Sequence, residues 1–301
     1  MIEKIRNSKN PIASAIYNYA RQSLTGEWDK NGAWRYVSVS EYAGIVHDMI
    51  KELPTGFDVV CAIPRSGLIA GTIIAAELNK PLTTPDKLIE GNVWGRSGKP
   101  LGITGNSGIL LIDDSMGAGT TLTKFRNQIQ EKYPDMKIIS AVVFGWSESR
   151  EMVDICYCPH SSNMRLMFEY NLTRLKYGEL SCDLDGVLCE DYTVAMPESG
   201  YLKHIINARP YRIPTFRIKS IITNRDEKHR KITEDWLSQN RVEYDSLIMN
   251  GDHEDTLQFK IRVLSENRPS YYWESDPVLS LGIFKATGIP TLCINTSTLF
   301  S

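Results

Sequence analysis

Two adjacent carboxylates, Asp113 and Asp114, follow an apolar run and precede a loop of small and hydroxyl residues. The whole stretch, residues 109–122, reads ILLIDDSMGAGTTL. The apolar run predicts a buried parallel strand, and the residues after it allow backbone amides to turn toward an anion where a helix begins. Carboxylates beside that anion can accept hydrogen bonds from vicinal hydroxyls. The stretch therefore predicts a binding site for a sugar phosphate.

Two other phosphate-binding loops fail on residue type. A Walker A loop needs Lys-Ser or Lys-Thr directly after its last glycine, whereas Gly119 is followed by Thr120 and Thr121. A dinucleotide fingerprint needs a third glycine, and Leu122 stands in its place. The remaining alternative is an acidic strand-to-helix turn that is capped by a threonine.

The stretch resembles the PRPP-binding signature of type I phosphoribosyltransferases. The resemblance implies that Asp113 and Asp114 hold the ribose 2- and 3-hydroxyls of PRPP. It also implies that the loop after them cradles the 5-phosphate, through Met116, Gly117, Ala118, Gly119, Thr120 and Thr121.

A second part of this resemblance lies upstream, in residues 59–71, VVCAIPRSGLIAG. A short apolar strand is followed by Arg65, Ser66 and Gly67 and then by an Ala-rich segment that predicts a helix. In the family the loop after this strand binds pyrophosphate, which implies the same role for these three residues. The planar guanidinium of an arginine can contact two diphosphate oxygens at once. Taken alone, the same residues would form an ordinary turn.

The second half of the chain carries another acidic pattern, LSCDLDGVLCED, at residues 180–191. An apolar strand again ends in acids and a glycine, and D-x-D-G-V resembles motif I of the haloacid dehalogenase (HAD) phosphatases. The resemblance implies that Asp183 is the nucleophile, which forms an aspartyl phosphate, and that Asp185 is the general acid and base. Gly186 permits the sharp turn that aims both acids at one phosphate.

Three further HAD motifs follow in the expected order. Thr223, at the end of the strand-like Ile-Ile-Thr, matches motif II and would bind a phosphoryl oxygen. Lys260 matches the motif III lysine, which neutralises the phosphate and the nucleophile. The segment YYWESDP matches motif IV, so Glu274 or Asp276 would complete a Mg²⁺ site with Asp183 and the Asp185 carbonyl.

Simpler interpretations of these residues stay open. A single D-x-D-G also occurs in plain turns, and a lone lysine such as Lys260 is normally a solvated charge. Arg225, His229 and Arg230 could form a basic rim for a substrate phosphate or simply lie on the helix after motif II.

Length, composition and net charge limit the number of domains and the class of binding partner. A chain of 301 residues, 42% hydrophobic, is long enough for two cores. We expect an α/β protein of two domains, each a mainly parallel sheet flanked by helices: a phosphoribosyltransferase fold in residues 1–175 and a HAD Rossmann-like fold with a small or no cap in residues 176–301. The net charge of -2 gives no general attraction to nucleic acid or to anionic membranes.

No apolar run approaches the length of a membrane span, and the charged N-terminus lacks an apolar signal region. We therefore expect a cytoplasmic protein without membrane contact. The six cysteines lack paired CxxC spacing, which suits reduced thiols.

The remaining elements are predicted from periodicity and turn residues. Helices are expected at residues 11–22 and 40–51, and a long loop or mobile hairpin at 83–108. By resemblance that loop closes over PRPP, where Lys87, Arg96 and Lys99 could bring positive charge or remain solvated. Four aromatic residues could stack on an acceptor base or belong to the core, namely Trp146, Tyr157, Phe168 and Tyr170.

Three functions follow as hypotheses. The first is a bifunctional enzyme that transfers phosphoribose from PRPP to an unidentified nitrogenous base and then dephosphorylates the nucleotide product. The second is a PRPP or nucleotide sensor that regulates a phosphatase of small phosphorylated molecules. The third, a nucleic-acid end phosphatase, is disfavoured by the acidic balance. Transferases of this type are commonly dimers, so a homodimer is expected.

Overall fold

A computed structural model describes residues 34–95, 100–101, 107–192 and 198–301, and its contacts divide the chain into two units. In the described part, the N-terminal unit comprises residues 37–164 and the C-terminal unit comprises 34–36 and 165–301. The helix predicted at 11–22, Arg96 and Lys99 lie outside the described residues.

The strands are β1 Trp34–Val37, β2 Val59–Ala62, β3 Leu82–Thr83, β4 Val93–Trp94, β5 Pro100–Leu101, β6 Ile109–Met116, β7 Ile138–Trp146, β8 Ile155–His160, β9 Arg165–Phe168, β10 Leu180–Cys182, β11 Ile218–Thr223, β12 Tyr244–Met249, β13 Tyr271–Glu274, β14 Thr291–Cys293 and β15 Thr298–Phe300. The α-helices are α1 Val39–Ile50, α2 Gly67–Glu77, α3 Pro85–Ile89, α4 Thr120–Lys132, α5 Glu198–Asn207, α6 Arg230–Gln239, α7 Thr256–Asn267 and α8 Pro277–Thr287. No helix among the described residues is long and apolar enough to cross a membrane.

The N-terminal unit is built on a seven-stranded sheet in the order β5-β4-β3-β2-β6-β7-β8. Strands β3, β2, β6, β7 and β8 run parallel, and β4 and β5 form an antiparallel edge. The centre of the sheet is buried on both faces, which explains why β2 and the first half of β6 consist of unbroken apolar runs. The helix predicted at 40–51 is observed as α1, where Ser38 caps it by accepting a 3.1 Å hydrogen bond from the Glu41 amide.

This order creates a crevice between β2 and β6. From β2 the chain proceeds outward to β3 on one side, and then returns to the other side of β2 as β6. In open α/β sheets, ligands bind outside the carboxyl ends of the strands at such a reversal. Both predicted PRPP segments follow these two strands, so the topology brings them to the same edge.

The C-terminal unit repeats the design with a six-stranded sheet in the order β12-β11-β10-β13-β14-β15. All neighbours are parallel except β14 and β15. Here the reversal lies between β10 and β13, whose carboxyl ends carry Asp183 and Glu274. A single described helix, α5, lies between β10 and β11.

The division of the chain differs from the expected boundary between residues 175 and 176. A separate two-stranded sheet pairs β1 with β9, and Tyr36, Met167 and Leu172 pack into the hydrophobic core of the C-terminal unit. Residues just before the expected boundary, together with a strand from far upstream, therefore belong to this second core. Such a contact between distant segments leaves no local sequence signal.

Candidate active sites

The acidic pair of the N-terminal unit lies inside a strand rather than after one. Strand β6 continues through Met116 because its pairing with β7 persists to the Met116–Gly145 register. Asp113 is half-buried and Asp114 is buried, and the Asp114 amide donates a 2.9 Å hydrogen bond to Asp113 Oδ1. Burial and the neighbouring charge of Asp114 raise the pKa of Asp113 to about 8. A hydroxyl donor from a bound sugar would favour the ionised form of this carboxylate.

The loop after β6 leads into a helix whose first-turn amides have no side-chain cap. Helix α4 begins at Thr120, and its N-cap is Gly119 at φ 71°, which has no side chain to bond the first-turn amides. The capping threonine of the alternative interpretation is therefore not observed here. Ala118, Thr120 and Thr121 are exposed, so the amides at this end can be approached by an anion.

Two bulky side chains explain the small residues of the loop. A Cβ on Gly117 would meet the Trp146 ring at 3.2 Å, and one on Gly119 would meet Met152 at 3.1 Å. The Met116 side chain is buried, and its Sδ would lie 3.2 Å from a Cβ on Gly119. Trp146, one of the four aromatic candidates, thus lies directly against the predicted phosphate loop.

The second predicted segment touches the acidic pair. Helix α2 begins at Gly67, where a Cβ would lie only 2.8 Å from Asp113 Oδ1 and 3.0 Å from Asp113 Cα. The Pro64–Arg65 peptide bond is cis, Arg65 is exposed, and Ser66 is half-buried with no side-chain bond to the helix start. Arg65, Ser66 and Gly67 therefore stand at the same crevice as Asp113.

The other candidates near this crevice separate into two groups. Tyr157 lies half-buried on β8, and Lys87 is exposed on α3, where it pairs with Glu90 at 2.6 Å. Phe168 and Tyr170, however, stack on each other at 5.2 Å within the C-terminal unit. These two rings therefore belong to the C-terminal unit, and their stacking on an acceptor base stays a prediction. The predicted loop at 83–108 contains α3 and the β4–β5 hairpin.

In the C-terminal unit, a buried lysine joins two acids. Lys260 Nζ lies 2.7 Å from Asp183 Oδ2 and 2.7 Å from Glu274 Oε2. The lysine side chain is 1% exposed and that of Glu274 is 0% exposed. Burial opposes the charge of Lys260, but the two carboxylates outweigh it and raise the lysine pKa. Lys260 is thus a buried ammonium beside Asp183 rather than a solvated surface charge.

Asp183 is held on its other side by the backbone. Its Oδ1 accepts a 2.7 Å hydrogen bond from the Leu184 amide, and its own amide donates to the Trp273 carbonyl of β13 at 2.9 Å. Burial raises the pKa of Asp183, and the Lys260 ammonium opposes that rise. Thr223 is also buried, at the end of β11, and its hydroxyl accepts a 3.2 Å bond from the Arg225 amide.

Arg225 is the residue whose role sequence reasoning missed. It is 1% exposed and forms a bidentate pair with Asp185, with Nε 2.8 Å from Oδ2 and Nη2 2.5 Å from Oδ1. It therefore cannot belong to a surface rim, and His229 is buried as well. Arg230 pairs with Glu227 and Glu234 on the helix surface. The available signal was the position of Arg225, two residues after the motif II threonine at the end of a buried strand.

This guanidinium decides the charge of Asp185. Burial alone would raise the pKa of Asp185, but nearby His204 and the paired Arg225 outweigh burial and lower it to about 2. His204 Nε2 lies 3.6 Å from Asp185 Oδ1, beyond hydrogen-bond distance, so the two short bonds from Arg225 are the stronger cause. Helix α5 carries His204, and the rings of Tyr192 and Tyr201 pack edge to face at 4.8 Å on this side of the site.

The predicted magnesium ligands are not equivalent. Asp276 is exposed and caps α8, since its Oδ1 accepts bonds from the Val278 and Leu279 amides at 2.7 and 2.8 Å. Glu274 is the motif IV acid that reaches the buried centre. In the described part of the chain, no group of three or more His, Cys, Asp or Glu residues is arranged to hold a metal ion.

Two carboxylates and a backbone carbonyl nevertheless suit Mg²⁺, which binds proteins through few carboxylates and keeps several waters. Asp183 and Glu274 share the single ammonium of Lys260, so a further cation would balance their charge. The donor set of Asp183, Glu274 and the Asp185 carbonyl therefore fits the predicted ion, whereas the Asp276 carboxylate caps α8.

Taken together, the N-terminal unit is a parallel α/β domain whose crevice joins an acidic pair to an open helix start. Residues 38–163 match the phosphoribosyl transferase domain family. The match spans both segments that were predicted to bind PRPP.

Solved structures similar to the chain have low identity and low TM-scores. The xanthine-guanine-hypoxanthine phosphoribosyltransferase of Helicobacter pylori is 14% identical with a TM-score of 0.36, covering 46% of this chain and 94% of that one. A purine phosphoribosyltransferase from Pyrococcus horikoshii is 16% identical with a TM-score of 0.36, covering 48% and 97%. The adenine phosphoribosyltransferase of Trypanosoma brucei, in complex with AMP, pyrophosphate and ribose-5-phosphate, is 17% identical with a TM-score of 0.29, covering 55% and 76%. Comparison with curated proteins gives no match.

Proposed function

We propose that the N-terminal unit transfers the phosphoribosyl group of PRPP to a nitrogenous base. The observation that carries this proposal is the contact of Gly67 with Asp113, which joins the predicted pyrophosphate loop to the predicted ribose acids. In the reaction the base nitrogen attacks C1 of the ribose, and the bond from C1 to the pyrophosphate oxygen breaks. Asp113 and Asp114 accept hydrogen bonds from the ribose hydroxyls, while Arg65 and Ser66 bind the leaving pyrophosphate.

The 5-phosphate of PRPP would occupy the start of α4. Its negative charge is stabilised by the amides of Gly119, Thr120 and Thr121 and by the positive end of the helix. The Trp146 ring lies against Gly117 and forms one wall of this loop. The Thr120 and Thr121 hydroxyls are exposed and supply further donors.

The C-terminal unit supports a second proposed activity, the hydrolysis of a phosphomonoester. Asp183 attacks the phosphorus, and the alcohol leaves with a proton from Asp185; water then releases phosphate from the aspartyl phosphate. Lys260 neutralises charge on Asp183 and on the phosphate, and Thr223 donates to a phosphoryl oxygen. Mg²⁺ bound by Asp183, Glu274 and the Asp185 carbonyl would supply further charge neutralisation.

Asp185 must gain a proton before it can act as an acid. With Arg225 in place its pKa is about 2, so it is ionised in this state. An incoming phosphate competes for the guanidinium, and loss of these bonds raises the pKa of Asp185 toward a value suited to proton donation. Arg225 would thus release the Asp185 carboxylate and bind the substrate phosphate as the substrate enters.

The two activities would act in sequence. Phosphoribosyl transfer is reversible, whereas removal of the product 5-phosphate withdraws the nucleotide and draws the transfer forward. The product of the chain would then be a nucleoside or a nucleoside-like molecule, by analogy with the two resembled families.

Pyrophosphate release tests the transferase. The protein is incubated with PRPP and a library of purine, pyrimidine and other nitrogenous bases, with Asp114→Asn as the inactive variant and exposed Asp48→Asn as its matched control. We expect one base class to give release with the wild type and the control but not with Asp114→Asn. If no base gives release and PRPP instead stimulates phosphatase activity, the N-terminal unit is a sensor and the proposal is wrong.

A further inference from the structure

A cavity of about 240 Å³ opens beside the motif I loop of the C-terminal unit. Its lining residues come from three segments of that unit: Gly186, Cys189, Glu190, Asp191, Arg209, Tyr211 and Asn295. This volume lies below the range of about 300–1,000 Å³ that is usual for drug-sized ligands. It suits one part of a ligand, such as a sugar ring, rather than a large molecule.

The walls of this cavity are fixed by hydrogen bonds. The Glu190 amide donates to the Arg209 carbonyl at 3.0 Å, and the Arg209 amide donates to Glu190 Oε1 at 3.0 Å. The Tyr211 amide donates to the Leu188 carbonyl at 2.8 Å. Two antiparallel segments are thus held in register, so the polar side chains at the cavity mouth have a preformed frame.

The cavity borders Asp185, which is the proposed proton donor to the leaving group. Cys189, in its wall, has Sγ 3.4 Å from Asp185 Oδ1. A Cβ on Gly186 would lie 3.4 Å from the Asp191 carboxyl carbon, so Asp191 borders the same loop. Asp185 donates its proton to the leaving oxygen in the proposed hydrolysis, and the alcohol part of the substrate therefore extends toward this wall.

The charges of the lining favour a neutral alcohol over an anionic one. Glu190 and Asp191 contribute two carboxylates, whereas Arg209 contributes one guanidinium. Carboxylates accept hydrogen bonds from sugar hydroxyls, the Asn295 amide can both donate and accept, and the Tyr211 ring is 53% exposed at the mouth. A second anionic group entering here would meet net negative charge.

We propose that this cavity is the leaving-group site of the phosphatase, and that it selects the neutral nucleoside part of a nucleoside monophosphate over the pyrophosphate-bearing ribose of PRPP. The inference rests on the proposed phosphatase function. Both molecules carry a ribose 5-phosphate, so Asp183 alone cannot distinguish them. The excess carboxylate repels the pyrophosphate group, which protects PRPP from hydrolysis before transfer. In the selected reaction the bond from phosphorus to the 5-oxygen breaks, the alcohol takes a proton, and water supplies the oxygen of the released phosphate.

Two isosteric variants change the charge of the cavity in opposite directions. Asp191→Asn removes one negative charge and Asn295→Asp adds one, while exposed Asp245→Asn, on β12, is the control. Release of inorganic phosphate is measured from AMP and from PRPP with each protein, and products are identified by mass spectrometry. We expect wild type to prefer AMP in kcat/KM. Asp191→Asn should raise the ratio of kcat/KM for PRPP to kcat/KM for AMP by about threefold to tenfold, and Asn295→Asp should lower this ratio by a similar factor.

The outcomes separate this inference from the function on which it rests. If AMP and PRPP are both hydrolysed and their ratio is the same in all four proteins, the cavity has no role in selection and the inference is wrong. If the wild type prefers PRPP, the inference is also wrong. If no 5-phosphate is hydrolysed by the wild type, the proposed phosphatase function fails, and the cavity assignment fails with it.

Discussion

Each unit places a pair of acids near the carboxyl end of a central strand, beside the reversal of its sheet. In the two units, however, neighbouring residues shift the pKa of one of these acids in opposite directions. Asp113 lies next to Asp114 and is partly buried, and its pKa rises to about 8. Asp185 is also buried, but the Arg225 guanidinium and nearby His204 lower its pKa to about 2. Position in the fold therefore brings an acid to a site, and its nearest charged neighbour sets what that acid can do.

The difference matches what each site would have to bind. A carboxylate that holds a proton until a ligand arrives can exchange that proton for hydroxyl donors of a sugar. The Asp185 carboxylate is already paired with the Arg225 guanidinium. This pair keeps a cation near Asp183, the proposed nucleophile that attacks a phosphate.

The largest effect is expected from removal of Lys260. In Lys260→Met the buried carboxylates of Asp183 and Glu274 lose their shared ammonium, and loss of one partner of a buried pair costs about 3–5 kcal/mol. We expect that decrease in the free energy of unfolding, measured by urea denaturation, and no detectable phosphatase activity. Lys231→Met, which breaks an exposed pair with Asp235, should leave the free energy of unfolding nearly unchanged. Equal small effects in both variants would contradict a buried role for Lys260.

Arg225→Gln should reduce stability in a way that depends on pH. The native pKa of Asp185 is below the ordinary 3.8, so the pair stabilises the fold fully above about pH 4 and loses its effect as pH falls toward 2. We expect a loss of about 2–4 kcal/mol at pH 7 that becomes smaller between pH 4 and pH 3. Urea unfolding at a series of pH values measures it, and a difference that does not change with pH would rule out this pairing.

Asp113→Asn should show the opposite sign. The native pKa of Asp113 lies above its ordinary 3.8, so wild-type stability falls as pH rises from about 4 to 8, and an uncharged amide avoids this loss. At pH 8 the variant should be more stable by at least about 1 kcal/mol, although we expect it to bind PRPP more weakly. Thermal unfolding and calorimetric titration with PRPP measure the two effects. A variant that is less stable at pH 8 would contradict the electrostatic account.

The smallest effect is expected at two glycines. In Gly67→Ala the new methyl group would lie 2.8 Å from Asp113 Oδ1, which forces the predicted pyrophosphate loop and the acidic pair apart. We expect a rise in the Kd for PRPP of about tenfold, worth about 1.4 kcal/mol. Gly44→Ala, on α1 with nothing within 4 Å of the added Cβ, should leave the Kd unchanged and stabilise the protein by about 0.5–1 kcal/mol. An unchanged Kd in Gly67→Ala would remove the link between the two loops.

Local sequence signals predicted the parts of the fold that depend on local chemistry. The apolar runs of β2, β6 and β10 and the helix after Ser38 were visible because burial and capping leave a pattern within a few residues. The cap that Asp276 forms on α8 was not predicted, because its acidic motif was interpreted as a source of metal ligands.

Contacts between distant segments could not be predicted. The pairing of Arg225 with Asp185 joins residues forty positions apart, and nothing near either residue specifies the other. The same holds for the packing of Trp146 on Gly117 and for the addition of β1 to the core of the C-terminal unit. Strand β6 continues through its acidic residues because it pairs with β7. In the sequence, these acids look like the end of the strand.

The central claim is that the two units act in sequence on one molecule, and the products of Asp183→Asn test it most directly. Wild type and Asp183→Asn are incubated with PRPP, Mg²⁺ and the base that supports pyrophosphate release, and products are resolved by liquid chromatography and mass spectrometry over time. We predict that the wild type forms nucleoside and inorganic phosphate, whereas Asp183→Asn accumulates the nucleoside 5-monophosphate. If the variant still yields nucleoside, or if the wild type also stops at the monophosphate, the sequential scheme is contradicted.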